Sequence, residues 1–131
     1  MRCFLAVMLI ALFLAGCQGR YEFEGPKVDN FDGQVTKGGE PVQFEEGQKV
    51  VLRLILHADG QSFGIPIKPD GTFDIGWMPI GKYSAVLEYD KLDAKGKRVS
   101  TRAVRHNVPE GFEVVDGQTE YSIDLGSNFK P

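Results

Sequence analysis

Few side chains in this chain have the chemistry for catalysis, and their spacing narrows the options. His57 and His106 are its two histidines, the side chains that titrate near neutral pH and so the candidate bases or ligands. Ser62 is the nucleophile closest to His57 in sequence, but closeness along the chain does not set the hydrogen-bond geometry that such a pair needs. Asp70-Gly71-Thr72-Phe73-Asp74 invites a calcium reading. It lacks the run of oxygen ligands and the closing glutamate of an EF-hand loop, and a tight turn accounts for Asp70-Gly71 without a metal. No Gly-x-Ser-x-Gly elbow, phosphate loop, His-Glu-x-x-His, Cys-x-x-Cys or dinucleotide fingerprint occurs. The expectation is a protein that is not an enzyme and takes no cofactor and no metal. A small hydrolase working through His57 or His106 is the alternative.

Charge offers a second kind of chemistry. Residues 91–106 carry Lys91, Lys95, Lys97, Arg98, Arg102 and Arg105 against Asp93, a local balance of +5 in a chain whose formal net charge is −3. With pI near 5.4 the whole molecule has no pull toward nucleic acid. Gly96 between Lys95 and Lys97 predicts a hairpin tip, with Arg98 and Arg102 on one face of a following strand. Lys95, Lys97, Arg98 and Arg102 are therefore the candidate binding residues, for an anionic glycan, a lipid headgroup or an acidic face of an envelope protein. The bland reading is a solvated hairpin kept charged against edge pairing. Trp77, with Phe63, Met78, Phe112 and Phe129, is a candidate aromatic platform for a sugar ring or a partner, unless these rings are needed in the core.

The cysteines point to a location. Met1-Arg2 precedes an apolar run from Cys3 to Ala15 that closes in Leu14-Ala15-Gly16-Cys17. That run is shorter than the roughly 20 helical residues a bilayer span requires, so it reads as a cleaved leader over residues 1–16. The box resembles the bacterial lipoprotein signal at all its four positions. The resemblance implies a mature chain starting at Cys17, its thiol alkylated by a diacylglyceryl group and its acyl (palmitate) chains held in a lipid bilayer. Two chains anchor stably where one does not. Gln18 in place of Asp resembles the sorting pattern for the outer membrane of two-membraned bacteria. The expected location is the cell envelope, lipid-anchored, and the exported domain keeps no cysteine for a disulfide.

These residues need a frame to hold them. Sixteen glycines and seven prolines among 131 residues interrupt the chain too often for long helices, while Val, Ile, Leu, Phe and Tyr supply strand formers. Residues 17–30 read as the lipidated cysteine and a polar tether, 31–126 as one domain, and 127–131 as a C-terminal tail. Within the domain, Val50, Leu52, Leu54 and Leu56 alternate, as do Tyr83, Ala85, Leu87 and Tyr89, and then Tyr121, Ile123 and Leu125. Further strands are expected at 33–36, 41–44, 61–68, 72–77 and 98–108. Turns are marked by Lys37-Gly38-Gly39-Glu40, Asp59-Gly60 and Pro69-Asp70-Gly71. About seven antiparallel strands predict an all-β, two-sheet sandwich, with a partly open barrel as the alternative.

Gly33-x-Val35-Thr36-x-x-Gly39-x-Pro41-Val42, then Asp70-Gly71-x-Phe73, then Gly81-x-Tyr83 stand in an order that resembles the carboxypeptidase regulatory-like family of prealbumin-like (transthyretin-like) β-sandwich modules. The resemblance runs over about residues 31–125. It implies glycines at tight turns, Phe73 and Tyr83 packed inward, and an accessory structural or binding role without catalytic residues. The related hydrolases end in a Tyr-Arg-Gly-Ser type tail, whereas this chain ends Gly126-Ser127-Asn128-Phe129-Lys130-Pro131.

Overall fold

The computed structural model describes residues 23–131. Its strands are β1 (Lys27–Val28), β2 (Phe31–Lys37), β3 (Glu40–Pro41), β4 (Val50–Leu56), β5 (Ser62–Pro66), β6 (Thr72–Ile75), β7 (Met78–Pro79), β8 (Gly81–Tyr89), β9 (Val104–Asn107), β10 (Phe112–Val114) and β11 (Glu120–Asp124). No helix occurs among the described residues. The result is an all-β sandwich.

The first sheet is built on β4 and β8, which pair antiparallel from Val50↔Tyr89 to Leu56↔Tyr83. β5 flanks β4. Along the far side of β8, β10 pairs with residues 81–83 and β9 with 86–89, so one long strand is edged by two short ones. The second sheet centres on β2, with β3 and β6 antiparallel on one side. On its other side β11 runs parallel to β2, Glu120↔Asp32 through Asp124↔Thr36. This corrects the expectation of a wholly antiparallel fold. One edge of β2 is taken by β3 and β6, and the chain crosses between sheets from β10 so as to run along the other edge in β2's own direction.

Period-two alternation decides which residues are inside. On β4, Val50, Leu52, Leu54 and Leu56 are buried and Val51, Arg53 and Ile55 half-buried; on β8, Tyr83 and Leu87 are fully buried. Phe31 of β2 joins the sheets through rings, 5.3 Å from Phe73, 4.6 Å from Tyr121 and 6.2 Å from Phe112. At the opposite end of β8, Phe129 packs on Tyr89 at 5.7 Å and on Phe44 at 6.4 Å.

Two outlying stretches join this frame. In the segment read as tether, β1 pairs with β7 and Val28 is buried. In the segment read as tail, Phe129 is fully buried. Of the strand expected at 41–44 only Pro41 is paired in β3; Val42 and Phe44 are bonded singly, their amides donating to the carbonyls of Val35 and Pro69.

The glycines of β2 and the turn that follows it serve two different purposes. Gly38 and Gly39 have φ of +60° and +86°, closing the two-residue turn between Lys37 and Glu40 that only glycine enters without strain. Gly33 is no turn residue. It lies within β2 beside β11, where a β-carbon would run into the Tyr121 carbonyl oxygen.

Candidate functional site

Cys17 lies outside the described residues. The candidates that fall inside them separate to the two ends of β8. Nine residues of strand set those ends about 25 Å apart, at roughly 3.3 Å per residue.

Trp77 belongs to the end where β8 begins. It is half-buried, stacked on Phe23 at 5.7 Å, edge-on to Phe63 at 6.3 Å, with the Lys27 ammonium 5.4 Å from its ring centre. Its ring is engaged by three side chains of the chain itself. Met78 and Phe129 are fully buried, and Phe63 and Phe112 pack against the core, so the aromatic set forms no open platform.

The basic segment belongs to the other end. Its tip is a turn organised by Asp93, whose carboxylate accepts from the amides of Lys95 at 2.8 Å and Lys97 at 2.9 Å, while Gly96 takes φ of +74°. The turn is pinned to the sandwich by Arg98, which pairs with Asp90 at 3.0 Å and donates to the Thr101 carbonyl. The expected strand from Arg98 is a correction: only residues 104–107 are strand. The backbone of 99–103 is irregular, so Arg98 and Arg102 do not share a strand face. Lys95, Lys97, Arg98 and Arg102 are all exposed on one loop, but Arg98 is a latch. Arg105 lies 3.5 Å from Glu88, which also receives Arg53 at 3.1 Å. The hydrogen bond from Arg53, against the opposing effect of partial burial, holds the Glu88 carboxyl below the ordinary carboxylate range. That leaves Lys91, Lys95, Lys97 and Arg102 as the cations of this segment with no ion pair among the described residues.

Beside this loop is a cleft that sequence reading missed. It encloses about 510 Å³ between Phe44, Tyr89, Leu92 and Val104, with Lys91 and Lys130 on its rim. Four chain segments build it, and no local pattern announces such a meeting. The Tyr89 hydroxyl donates to the Lys130 carbonyl at 3.1 Å, fixing the last residues against β8.

The histidines have unlike surroundings. His57 Nε2 is 2.7 Å from the hydroxyl of Ser84, not Ser62, whose hydroxyl instead accepts from Arg53 at 3.4 Å. The register explains this, because Ser84 opposes Ile55, which makes it the diagonal neighbour of His57. His106 Nε2 faces the Leu125 carbonyl, with its ring 5.0 Å from Phe129. In the Asp70 turn the carboxylate accepts from both the amide and the hydroxyl of Thr72, at 3.0 and 2.6 Å, and Asp74 pairs with Lys68 at 2.9 Å. Those carboxylates are spent on the turn and its flank.

The chain matches no protein-family model, no curated protein and no solved structure.

Proposed function

We propose that this chain is a non-catalytic lipoprotein of the bacterial cell envelope, anchored in a bilayer through acylated Cys17 and presenting its sandwich as an accessory binding module. The observation that carries the reading is Leu14-Ala15-Gly16-Cys17 closing an apolar leader directly ahead of an all-β domain. The family-like order of Gly33, Gly39, Asp70-Gly71 and Gly81-x-Tyr83 supports a prealbumin-like module in that role. The partners that suit it are an envelope protein or an anionic glycan, met by the exposed Lys95, Lys97 and Arg102. Nucleic acid is not among them. In two-membraned bacteria the outer membrane is its place. Detergent phase partitioning of the wild type and Cys17→Ser tests the anchor. Wild type in the detergent phase and the variant in the aqueous phase are expected, and equal aqueous partitioning of both overturns it.

One observation favours a second reading, a small hydrolase: the 2.7 Å contact between His57 and Ser84 is the spacing of a nucleophile and its base. Ester-substrate screening of wild type, His57→Ala and Ser84→Ala separates the two. Hydrolysis abolished by both substitutions with the fold intact would install the enzyme.

A further inference from the structure

The described chain enters the sandwich at one end, where Lys27 and Lys82 are exposed, and carries its basic loop at the other. Phe23 stacks on Trp77, and β1 pairs with β7 just ahead of Gly81, where β8 begins. The basic loop, Lys130 and the cleft gather where β8 finishes at Tyr89. Taking the Cys17 anchor as proposed above, only six residue steps separate it from Phe23, a reach of about 20 Å at the fully extended limit. That is less than the roughly 25 Å length of β8, so the sandwich cannot be turned end-on to set its basic pole on the membrane that holds it. With the sandwich upright on its anchor, the cations of the basic loop face outward.

The cleft narrows what they meet. Its volume is that of a small-ligand site, its floor offers the apolar edges of Phe44, Tyr89, Leu92 and Val104, and its border includes Gln43 and Glu45. A carboxylate and an amide beside cations accept hydrogen bonds from hydroxyl groups, which an acidic peptide backbone does not bring and a sugar ring does. Sugar rings bring hydroxyls and an apolar face together, and acidic substituents on them suit Lys91, Lys95, Lys97 and Arg102. We infer that this pole binds an acidic polysaccharide lying beyond the anchoring membrane, with a sugar ring in the cleft and its neighbours' carboxylates on the loop. An inference resting on the anchored reading can still be tested apart from it.

The test uses the full chain carried in phosphatidylcholine nanodiscs and titrated with a hexuronate polymer, a neutral glucan, polyglutamate, and separate phosphatidylglycerol vesicles. Failure to enter the discs reports on the anchor alone, and the titrations then run on the chain in water. Binding is expected for the hexuronate polymer above all other probes, weakening at least tenfold as salt rises toward physiological strength, where the Debye length is about 8 Å. Replacing Lys91, Lys95, Lys97 and Arg102 with alanine, all exposed and Arg98 spared, should lower it at least tenfold. A Gln43→Ala, Glu45→Ala variant should weaken the hexuronate polymer several-fold, because the lost acceptors for its hydroxyls outweigh the removed negative charge, and should leave any residual polyglutamate adhesion unchanged or stronger. Polyglutamate or vesicles bound as tightly as the hexuronate polymer would overturn the inference. So would no binding at low salt, or affinity indifferent to both sets of substitutions.

Discussion

His106 on β9 and Leu125 at the end of β11 tie the two sheets together, imidazole Nε2 to carbonyl oxygen at 2.5 Å. A carbonyl only accepts, so Nε2 carries the hydrogen. The ring lies edge-on to fully buried Phe129, which makes it a structural strut. His106→Ala should cost about 1–3 kcal/mol from the lost hydrogen bond and packing, and His106→Gln less. Urea denaturation of the three proteins checks this, and any hydrolysis found should be unchanged in folded His106→Gln.

Gly33 and Gly38 predict opposite kinds of cost. A methyl group at Gly33 meets the Tyr121 carbonyl within β11, whereas at Gly38 it meets nothing within 4 Å but must take φ of +60°. Gly33→Ala should therefore cost about 3 kcal/mol or more by displacing β11. Gly38→Ala should cost about 1 kcal/mol, the strain of one left-handed residue. Amide hydrogen exchange should show loosening over residues 120–124 in the first variant and not in the second.

Alkaline pH should find Tyr83. Its buried hydroxyl donates to the Pro79 carbonyl at 2.6 Å, and burial, with the negative charge of Asp59 in addition, pushes its pKa far above the usual tyrosine range. A raised folded-state pKa contributes stability that is complete below the unfolded value of about 10 and lost as pH climbs beyond it. Stability should thus fall above pH 10 more steeply in the wild type than in Tyr83→Phe, as read by denaturant midpoints across that range.

Acid should find Glu88 by the opposite sign. Its lowered carboxyl pKa, due first to Arg53, gives stability that is present above about pH 4.5 and lost as pH falls through the folded-state value. The pair is a half-exposed surface one, so Arg53→Met should cost about 1 kcal/mol or less at neutral pH. The difference from wild type should vanish near pH 2, measured by the same midpoints.

Alternation made β4, β8 and β11 legible, because one face of each meets the core: Leu52, Leu87 and Ile123 fall inside as their spacing requires. The basic loop was harder. The spacing of Arg98 and Arg102 suggested one strand face, yet pairing there stops at the Leu92–Arg98 bridge and the Val99 amide bonded to the Lys91 carbonyl, and the Val99 side chain is 60% exposed. β10 has three residues, too few to show a period. The parallel pairing of β11 depends on how the chain crosses between the sheets to reach β2, a property of the assembled sandwich. Ser84 escaped notice for a similar reason: its nearness to His57 is set by register across strands. The cleft under Lys91 and Lys130 needs four segments folded before it exists.

Anchoring of the domain to a membrane requires a covalent bond at Cys17. Intact-mass spectrometry of the chain extracted from the host membrane reads it directly. The prediction is a polypeptide beginning at Cys17 with the added mass of a diacylglyceryl group, absent in Cys17→Ser. A chain recovered from the soluble fraction with an unmodified thiol at Cys17, or cleaved at another position, would contradict it.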